Sequence, residues 1–326
     1  MIKVPTASLK PHGTPDKSMR HPNRRTRLLF LLLVCLALVK LNPYLSQAAV
    51  QDVSKRLPHT LTGDIRMHKD FHSRFLPNDR DVIVYLPPSY DQDATHRYPV
   101  LYLQDGQNVF DAATCFWRGF ERHFDERAQT LIGEHEIQPL IIVGIYSTQL
   151  ERINEYTPTK SRETNRGGEA DLYGRMLVEE LKPFIDNQYR TLTSSANTGL
   201  GGSSLGGLVS LYIGCKYPQI FGKLAVTSPA ADWDDEMIVR YVHSLARPNR
   251  SQVFLSVGSG EPEMFVRPTR DLHEALETKG WRQGKNLFYS EPPVTEHRSG
   301  AWTQGVDLLL KFLFPAKAPG AQKTLR

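Results

Sequence analysis

From residue 98 onward the chain alternates short aliphatic or β-branched runs with longer stretches of helical periodicity, and this alternation limits its fold more than any other feature. Tyr98–Gln104, Pro139–Ile145, Thr198–Gly202, Lys223–Thr227, Gln252–Val257 and Asn286–Tyr289 read as strands, with Asp81–Leu86 preceding them. Between them Gly119–Leu131, Asp171–Tyr189, Leu205–Tyr217, Asp234–Leu245 and Pro268–Lys279 read as helices, and Ala301–Phe314 closes the series. In the second helix Leu172, Met176, Leu181, Phe184 and Ile185 share one face. Several strands are apolar on both faces, which a sheet needs when helices cover it on both sides. The expected fold class is α/β, a mostly parallel central sheet with helices on both faces. Ligands in such sheets bind beyond the carboxyl ends of the strands, so the loops that follow strands are where chemistry is to be sought.

No repeat, heptad run or linker-like tract follows residue 50, which makes residues 49–326 a single domain. The net charge of +5 hides a division. Eight basic residues face only Asp16 across the first 49 positions, giving that segment +7 and the remainder −2. A body so close to neutrality has no electrostatic footprint for nucleic acid. The basic segment surrounds Leu28–Val39, twelve apolar residues that follow Arg24-Arg25-Thr26-Arg27 and end at Lys40. At about 1.5 Å per residue this run spans about 18 Å, short of a hydrocarbon core of about 30 Å. It reads as the apolar region of a signal peptide, residues 1–48, cut after Ser46-Gln47-Ala48. The alternative is an uncleaved anchor over residues 28–39, the only route to membrane association. Either way the body is exported, to the periplasm or beyond. There Cys115 and Cys215 are permitted one disulfide, though two core thiols are more often simply buried.

Gly202-Ser203-Ser204-Leu205-Gly206 fits G-x-S-x-G and falls between an expected strand and an expected helix. A nucleophile held on so sharp a turn needs glycine neighbours, because larger side chains would collide with the strand and helix on either side. Ser204 is therefore the candidate nucleophile. A serine hydroxyl needs a base to take its proton, and in this architecture the order along the chain is serine, acid, histidine. His243 and His273 lie in helical patterns and read as surface residues, whereas His297 lies in the loop before the last helix, where a base belongs. Glu261, first beyond the strand Gln252–Val257, is placed to orient that imidazole. Glu263 is a near rival, and Asp232, Asp234 and Asp235 are others, although these also suit a helix N-cap and first turn. For the oxyanion, Leu205 N–H pairs with Gln107 N–H from the turn Gln104-Asp105-Gly106-Gln107-Asn108, where Gly106 permits close backbone approach. Asp105, Asn108 and Asp111 offer oxygen ligands without the twelve-residue calcium-loop spacing. With no H-E-x-x-H, paired C-x-x-C or phosphate-binding loop in the sequence, no metal and no nucleotide cofactor is expected.

Four segments together resemble the esterase D and enterochelin-esterase-like branch of the α/β hydrolases. They are Val82-Ile-Val-Tyr-Leu-Pro-Pro-Ser-Tyr90, the stretch from Tyr98 to Asp111, Glu155-Tyr-Thr-Pro158 and Gly202-Ser-Ser-Leu-Gly-Gly207. The similarity spans roughly residues 60 to 315 and implies an α/β-hydrolase fold. It matches Ser204 to the family nucleophile, Glu261 to the acid position, where relatives more often carry Asp, and His297 to the base. Relatives cleave siderophore trilactones, feruloyl and acetyl esters of polysaccharide, and S-formylglutathione, and some transfer mycolyl groups to sugar. Export argues against the glutathione thioester.

The long polar segment Tyr146–Ala170 reads as a functional or mobile loop. Arg152, Arg162 and Arg166 could steer an anionic substrate, although scattered arginines are usually solvated. Tyr156 and Trp233 offer flat surfaces to an aromatic or sugar ring, with Asp105 as a further substrate contact. The expectation is an exported serine esterase acting on a small-molecule or carbohydrate ester. The alternatives are an acyltransferase on the same fold and a non-catalytic, membrane-tethered binding protein.

Overall fold

Eight strands hydrogen-bond in the order β1-β2-β4-β3-β5-β6-β7-β8 in the computed structural model. It describes residues 57–116, 121–246, 251–293 and 301–316, the backbone alone for 301–304. The strands are β1 (Asp64–Phe71), β2 (Arg80–Leu86), β3 (Val100–Gln104), β4 (Ile141–Ile145), β5 (Thr198–Ser204), β6 (Lys223–Pro229), β7 (Gln252–Ser256) and β8 (Leu287–Ser290). β2 runs antiparallel to both β1 and β4, and every pairing from β4 to β8 is parallel.

The helices are α1 (Phe124–Gly133), α2 (Arg152–Tyr156), α3 (Ala170–Arg175), α4 (Lys182–Gln188), α5 (Leu205–Lys216), α6 (Trp233–Ser244), α7 (Glu263–Thr278) and α8 (Ala301–Leu313). A π turn, Met176–Leu181, joins α3 to α4. Side chains alternate along the strands with a period of two and divide the core into two layers. Val82, Val84, Val100, Tyr102, Val143, Leu200, Val226 and Leu255 face the layer that receives Leu208 and Ile213 of α5 and Leu272 and Leu276 of α7. Ile83, Tyr85, Leu101, Leu103, Ile142, Ala225 and Phe254 face the opposite layer, with Ala128 and Leu131 of α1 and Leu309, Leu310 and Leu313 of α8. Each large side chain so buried contributes about 1.5–3 kcal/mol, which explains why the central strands carry so few polar residues.

The sequence reading departs from this fold in several places. β1 escapes it because this edge strand, Asp64-Ile-Arg-Met-His-Lys-Asp-Phe71, is mostly exposed. α1 starts at Phe124 rather than Gly119, since His123 just before it has a left-handed φ of 56° that no α-helix accommodates. α7 starts at Glu263 and holds Pro268 inside it, at the cost of one backbone hydrogen bond, instead of beginning there. Leu172, expected on the buried face, is 40% exposed, and the adjacent Tyr173 is buried in its place. Cys115 and Cys215 are free thiols that form no disulfide, both pushed up to about 12, chiefly by burial. No helix among the described residues is long and apolar enough to cross a membrane; the expected leader lies outside them.

Candidate active site

At Ser204 β5 becomes α5 with a φ of 54° and a ψ of −124°, a combination L-residues rarely adopt. The glycines around it leave little room for side chains. A β-carbon on Gly202 would lie 2.8 Å from the Gly206 carbonyl carbon and 2.9 Å from Gln104 Cβ. One on Gly206 would lie 3.0 Å from Gln104 Cβ and 3.3 Å from Asp105 Oδ2, so the start of α5 packs directly against the turn that follows β3. Ala230 N–H donates to Ser204 O at 3.0 Å and ties the elbow to the segment leaving β6.

That turn, Gly106–Asn108, is held from several sides. A β-carbon on Gly106 would meet Gly144 C at 2.4 Å and Ile145 N at 2.6 Å, so the close approach foreseen for this glycine is made to the backbone of β4. Gln107 is buried; its Nε2 donates to Ser147 Oγ at 2.9 Å and its Oε1 accepts from Ser147 N–H at 3.2 Å. Asp105 adopts a left-handed φ of 56° and receives both Arg152 Nε (2.6 Å) and Nη2 (2.7 Å). Burial works against the charge of Arg152, but the Asp105 carboxylate outweighs it and raises the guanidinium above its ordinary value. Behind this pair Arg80 and Glu155, both fully buried, make a bidentate pair with two contacts of 2.9 Å.

Glu261 is 6% exposed, in the loop between β7 and α7, where its Oε1 accepts from Ser228 Oγ at 2.6 Å and from Gly258 N–H at 2.8 Å. Glu263, its rival, is exposed at the first turn of α7. Asp232 stands at the N-cap position of α6 without making a side-chain cap, and Asp234 and Asp235 have left-handed backbones. His297 lies outside the described residues. His273 is not a plain surface residue: it is half-buried and stacks on Tyr289 with ring centroids 4.0 Å apart.

Beyond the carboxyl ends of β3, β5, β6 and β7 opens a cavity of about 150 Å³. Asp105, Ser203 and Glu261 line it together with Arg122, a residue the sequence reading passed over. Arg122 Nη2 lies 3.3 Å from Ser203 Oγ. Burial pulls its guanidinium down to about 10 despite the nearby Asp105 and Glu261 carboxylates. Leu103, Phe254, Val306 and Leu309 give the cavity apolar walls.

Other expected contacts lie elsewhere. Tyr156 has no exposed surface; its hydroxyl accepts from Asp105 N–H at 3.3 Å, so it supports the turn and presents no face to a ligand. Trp233 donates from Nε1 to Thr159 O at 3.1 Å and is not among the residues lining the cavity. Arg152 is committed to Asp105, and Arg166 donates to Leu150 O. The segment Tyr146–Ala170 holds α2 and a bridge between Lys160 and Gly167.

Comparison with known proteins agrees with this geometry. The chain is 26% identical over 261 residues to the uncharacterized protein YbbA of Bacillus subtilis (strain 168), spanning 76% of this chain and 96% of that protein. It is 28% identical over 202 residues to the ferri-bacillibactin esterase BesA of the same organism, spanning 55% of this chain and 66% of BesA. Among solved structures it is similar to the BES protein of Bacillus cereus, with a TM-score of 0.63 and 22% identity over 81% of this chain and 99% of that one. The fold is that of the α/β hydrolases. Residues 73–305, well over half of the chain, match the family described as "Putative esterase", and the protein belongs to that family.

Proposed function

We propose that the protein is an exported serine esterase that hydrolyses carboxylic esters, siderophore-type or carbohydrate acyl esters, through an acyl-enzyme on Ser204. The observation that carries this reading is the strained backbone of Ser204 at a strand-to-helix turn, flanked by glycines where a side chain would crowd the neighbouring backbone and the turn after β3. Ser204 Oγ attacks the ester carbonyl while its proton passes to the imidazole of His297. The oxyanion is held by Leu205 N–H, a first-turn donor without a helical partner, and by Gln107 N–H. The tetrahedral species collapses, the C–O bond breaks, and the imidazolium returns its proton to the leaving alcohol. Water then attacks the acyl-enzyme by the same route and frees the acid.

Glu261 orients His297 and stabilises the imidazolium. Its support is positional: it is a buried carboxylate after β7, fixed by Ser228 and Gly258, lining the same cavity as Ser203. Arg122 adds a cation to that cavity, which suits an acyl group bearing negative or phenolic oxygens. BesA is by its name a ferri-bacillibactin esterase, which favours a siderophore-type ester.

The test is fluorophosphonate labelling of protein recovered from the exported fraction, with intact mass and peptide mapping. It is followed by hydrolysis of acetyl, feruloyl and siderophore esters. Label on the peptide carrying Ser204, and none on a Ser204→Ala protein, is the expected result, and the mass reports cleavage after Ala48. A folded protein that takes no label would sink the serine-esterase reading.

A further inference from the structure

The turn that follows β3 begins on a strained residue. Asp105 has φ 56° and ψ 50°, a left-handed backbone that Asp tolerates better than most residues with a side chain, though still at a cost. The helical turn Gly106–Asn108 comes directly after it. A left-handed residue followed by right-handed ones makes successive N–H groups converge, an arrangement in which backbone holds anions. The turn's own hydrogen bonds, Asn108 N–H to Asp105 O at 2.9 Å and Val109 N–H to Gly106 O at 3.2 Å, use neither the Gly106 nor the Gln107 N–H. Gln107 N–H is the second oxyanion donor of the serine-esterase reading, and its direction depends on the angle held at Asp105.

The Asp105 side chain is where that angle is secured. Arg152, the first residue of α2, donates from Nε at 2.6 Å and from Nη2 at 2.7 Å to its two oxygens, a planar fork that fixes the orientation of the carboxylate as well as its position. The Arg152 and Asp105 side chains are 25% and 11% exposed, so solvent weakens their attraction less than it would a surface pair's. The same carboxylate abuts the first turn of α5, since a β-carbon on Gly206 would lie 3.3 Å from Asp105 Oδ2, and a negative charge is favoured at a helix N-terminus. The segment leaving β4 grips the turn at two further points: the Tyr156 hydroxyl accepts from Asp105 N–H, and Ser147 exchanges two hydrogen bonds with the Gln107 amide. α2 is itself tied to β2 by the buried Arg80–Glu155 pair, so Arg152 reaches Asp105 from a fixed base.

We propose that Arg152 is a positioning residue for ester hydrolysis: by fixing the Asp105 carboxylate it holds the left-handed backbone that aims Gln107 N–H at the oxyanion. The assignment rests on the serine-esterase reading, which supplies the developing negative charge for that donor to meet. Arg152 acts through Asp105 and touches no reacting atom. Its effect falls on the transition state, where charge reaches the carbonyl oxygen, and not on binding of the neutral ester. A pair that served only the fold would change the amount of folded protein and leave turnover per working site as it was.

The experiment is steady-state hydrolysis of p-nitrophenyl acetate by the full chain, with working sites counted by fluorophosphonate labelling carried to completion, so that kcat is expressed per working site. Arg152→Gln, and Asp105→Asn, whose amide tolerates the left-handed backbone, should each lower kcat by about tenfold to a hundredfold. Because the same donor serves acylation and deacylation, KM should change less than about threefold. The double variant should be no slower than the slower single one, since the two side chains act as one device. Arg152→Lys, which keeps the cation and loses the fork, should retain part of the rate, and it serves if circular dichroism shows that Arg152→Gln does not fold. The inhibition constant of a phenylboronic acid, whose tetrahedral adduct resembles the oxyanion, should rise in step with the fall in kcat/KM. Wild-type kcat per labelled site in the variants, losses that multiply in the double variant, or a loss confined to KM would each overturn the assignment. A wild type that takes no label overturns the serine-esterase reading and this assignment with it, whereas a labelled wild type whose variants keep full kcat overturns this one alone.

Discussion

At Ser204 a non-glycine residue sits at φ 54° and ψ −124°, a conformation whose cost is of order 1–3 kcal/mol. Glycine adopts positive φ without that penalty, at an entropic cost of about 0.5–1 kcal/mol. Ser204→Gly should therefore raise stability by up to about 2 kcal/mol in urea titration while abolishing ester hydrolysis, and Ser204→Ala should abolish hydrolysis with almost no gain in stability. At the proposed acid position, Glu261→Gln keeps the shape but loses the charge that would stabilise an imidazolium. It should lower kcat by about a hundredfold to ten-thousandfold, whereas the exposed Glu263→Gln should change it less than about twofold. The strained strand-to-helix turn at Ser204 and the buried loop carboxylate at Glu261 were legible in the sequence because steric need and chain order each leave a local trace. Tyr156 and Arg152 were misread because nothing local says whether an aromatic ring or a guanidinium points outward.

Between elements, the Arg80–Glu155 pair ties β2 to α2 with both side chains excluded from solvent. Burial opposes the charge on Arg80, and Glu155 more than restores it. Removing one partner leaves the other buried and uncompensated. Glu155→Gln should thus cost about 3–5 kcal/mol, while the apolar double variant Arg80→Met/Glu155→Leu should recover most of that loss. A double-mutant cycle in denaturant measures both, and a single variant as stable as the wild type would show the pair to be unimportant. The same contrast between buried and exposed elements governs what the sequence revealed of the fold. β3, β4, β6 and β7 were found within a residue or two because two covered faces demand unbroken apolar runs. β1 left no such run because an edge strand can satisfy its pairing with charged and polar side chains. The π turn at Met176–Leu181 sets the register of its helix through packing, which periodicity alone does not encode.

For the whole molecule, stability on the alkaline side is a contest between groups of opposite sign. Burial raises Tyr102 and Tyr156 well above their ordinary range, so in the native state both stay protonated after their unfolded counterparts ionise. Above about pH 10 the unfolded chain then binds fewer protons, and these tyrosines lower stability as pH rises. Lys223 acts in the other direction. It opens β6, is 8% exposed and donates to Gln252 Oε1 at 2.6 Å, and burial lowers its amine from 10.5 to about 8. Below pH 8 both states hold the proton, and the native state bears the full cost of a buried ammonium. Between about 8 and 10.5 the native state releases that proton while the unfolded chain keeps it, so stability rises with pH through this window. The tyrosines are common to the wild type and Lys223→Met, so subtracting the two stability curves isolates the lysine. The wild type should gain roughly 1–3 kcal/mol on Lys223→Met between pH 7.5 and about pH 10 in urea titrations at fixed ionic strength. A difference curve that stays flat would mean that Lys223 keeps an ordinary amine in the folded protein.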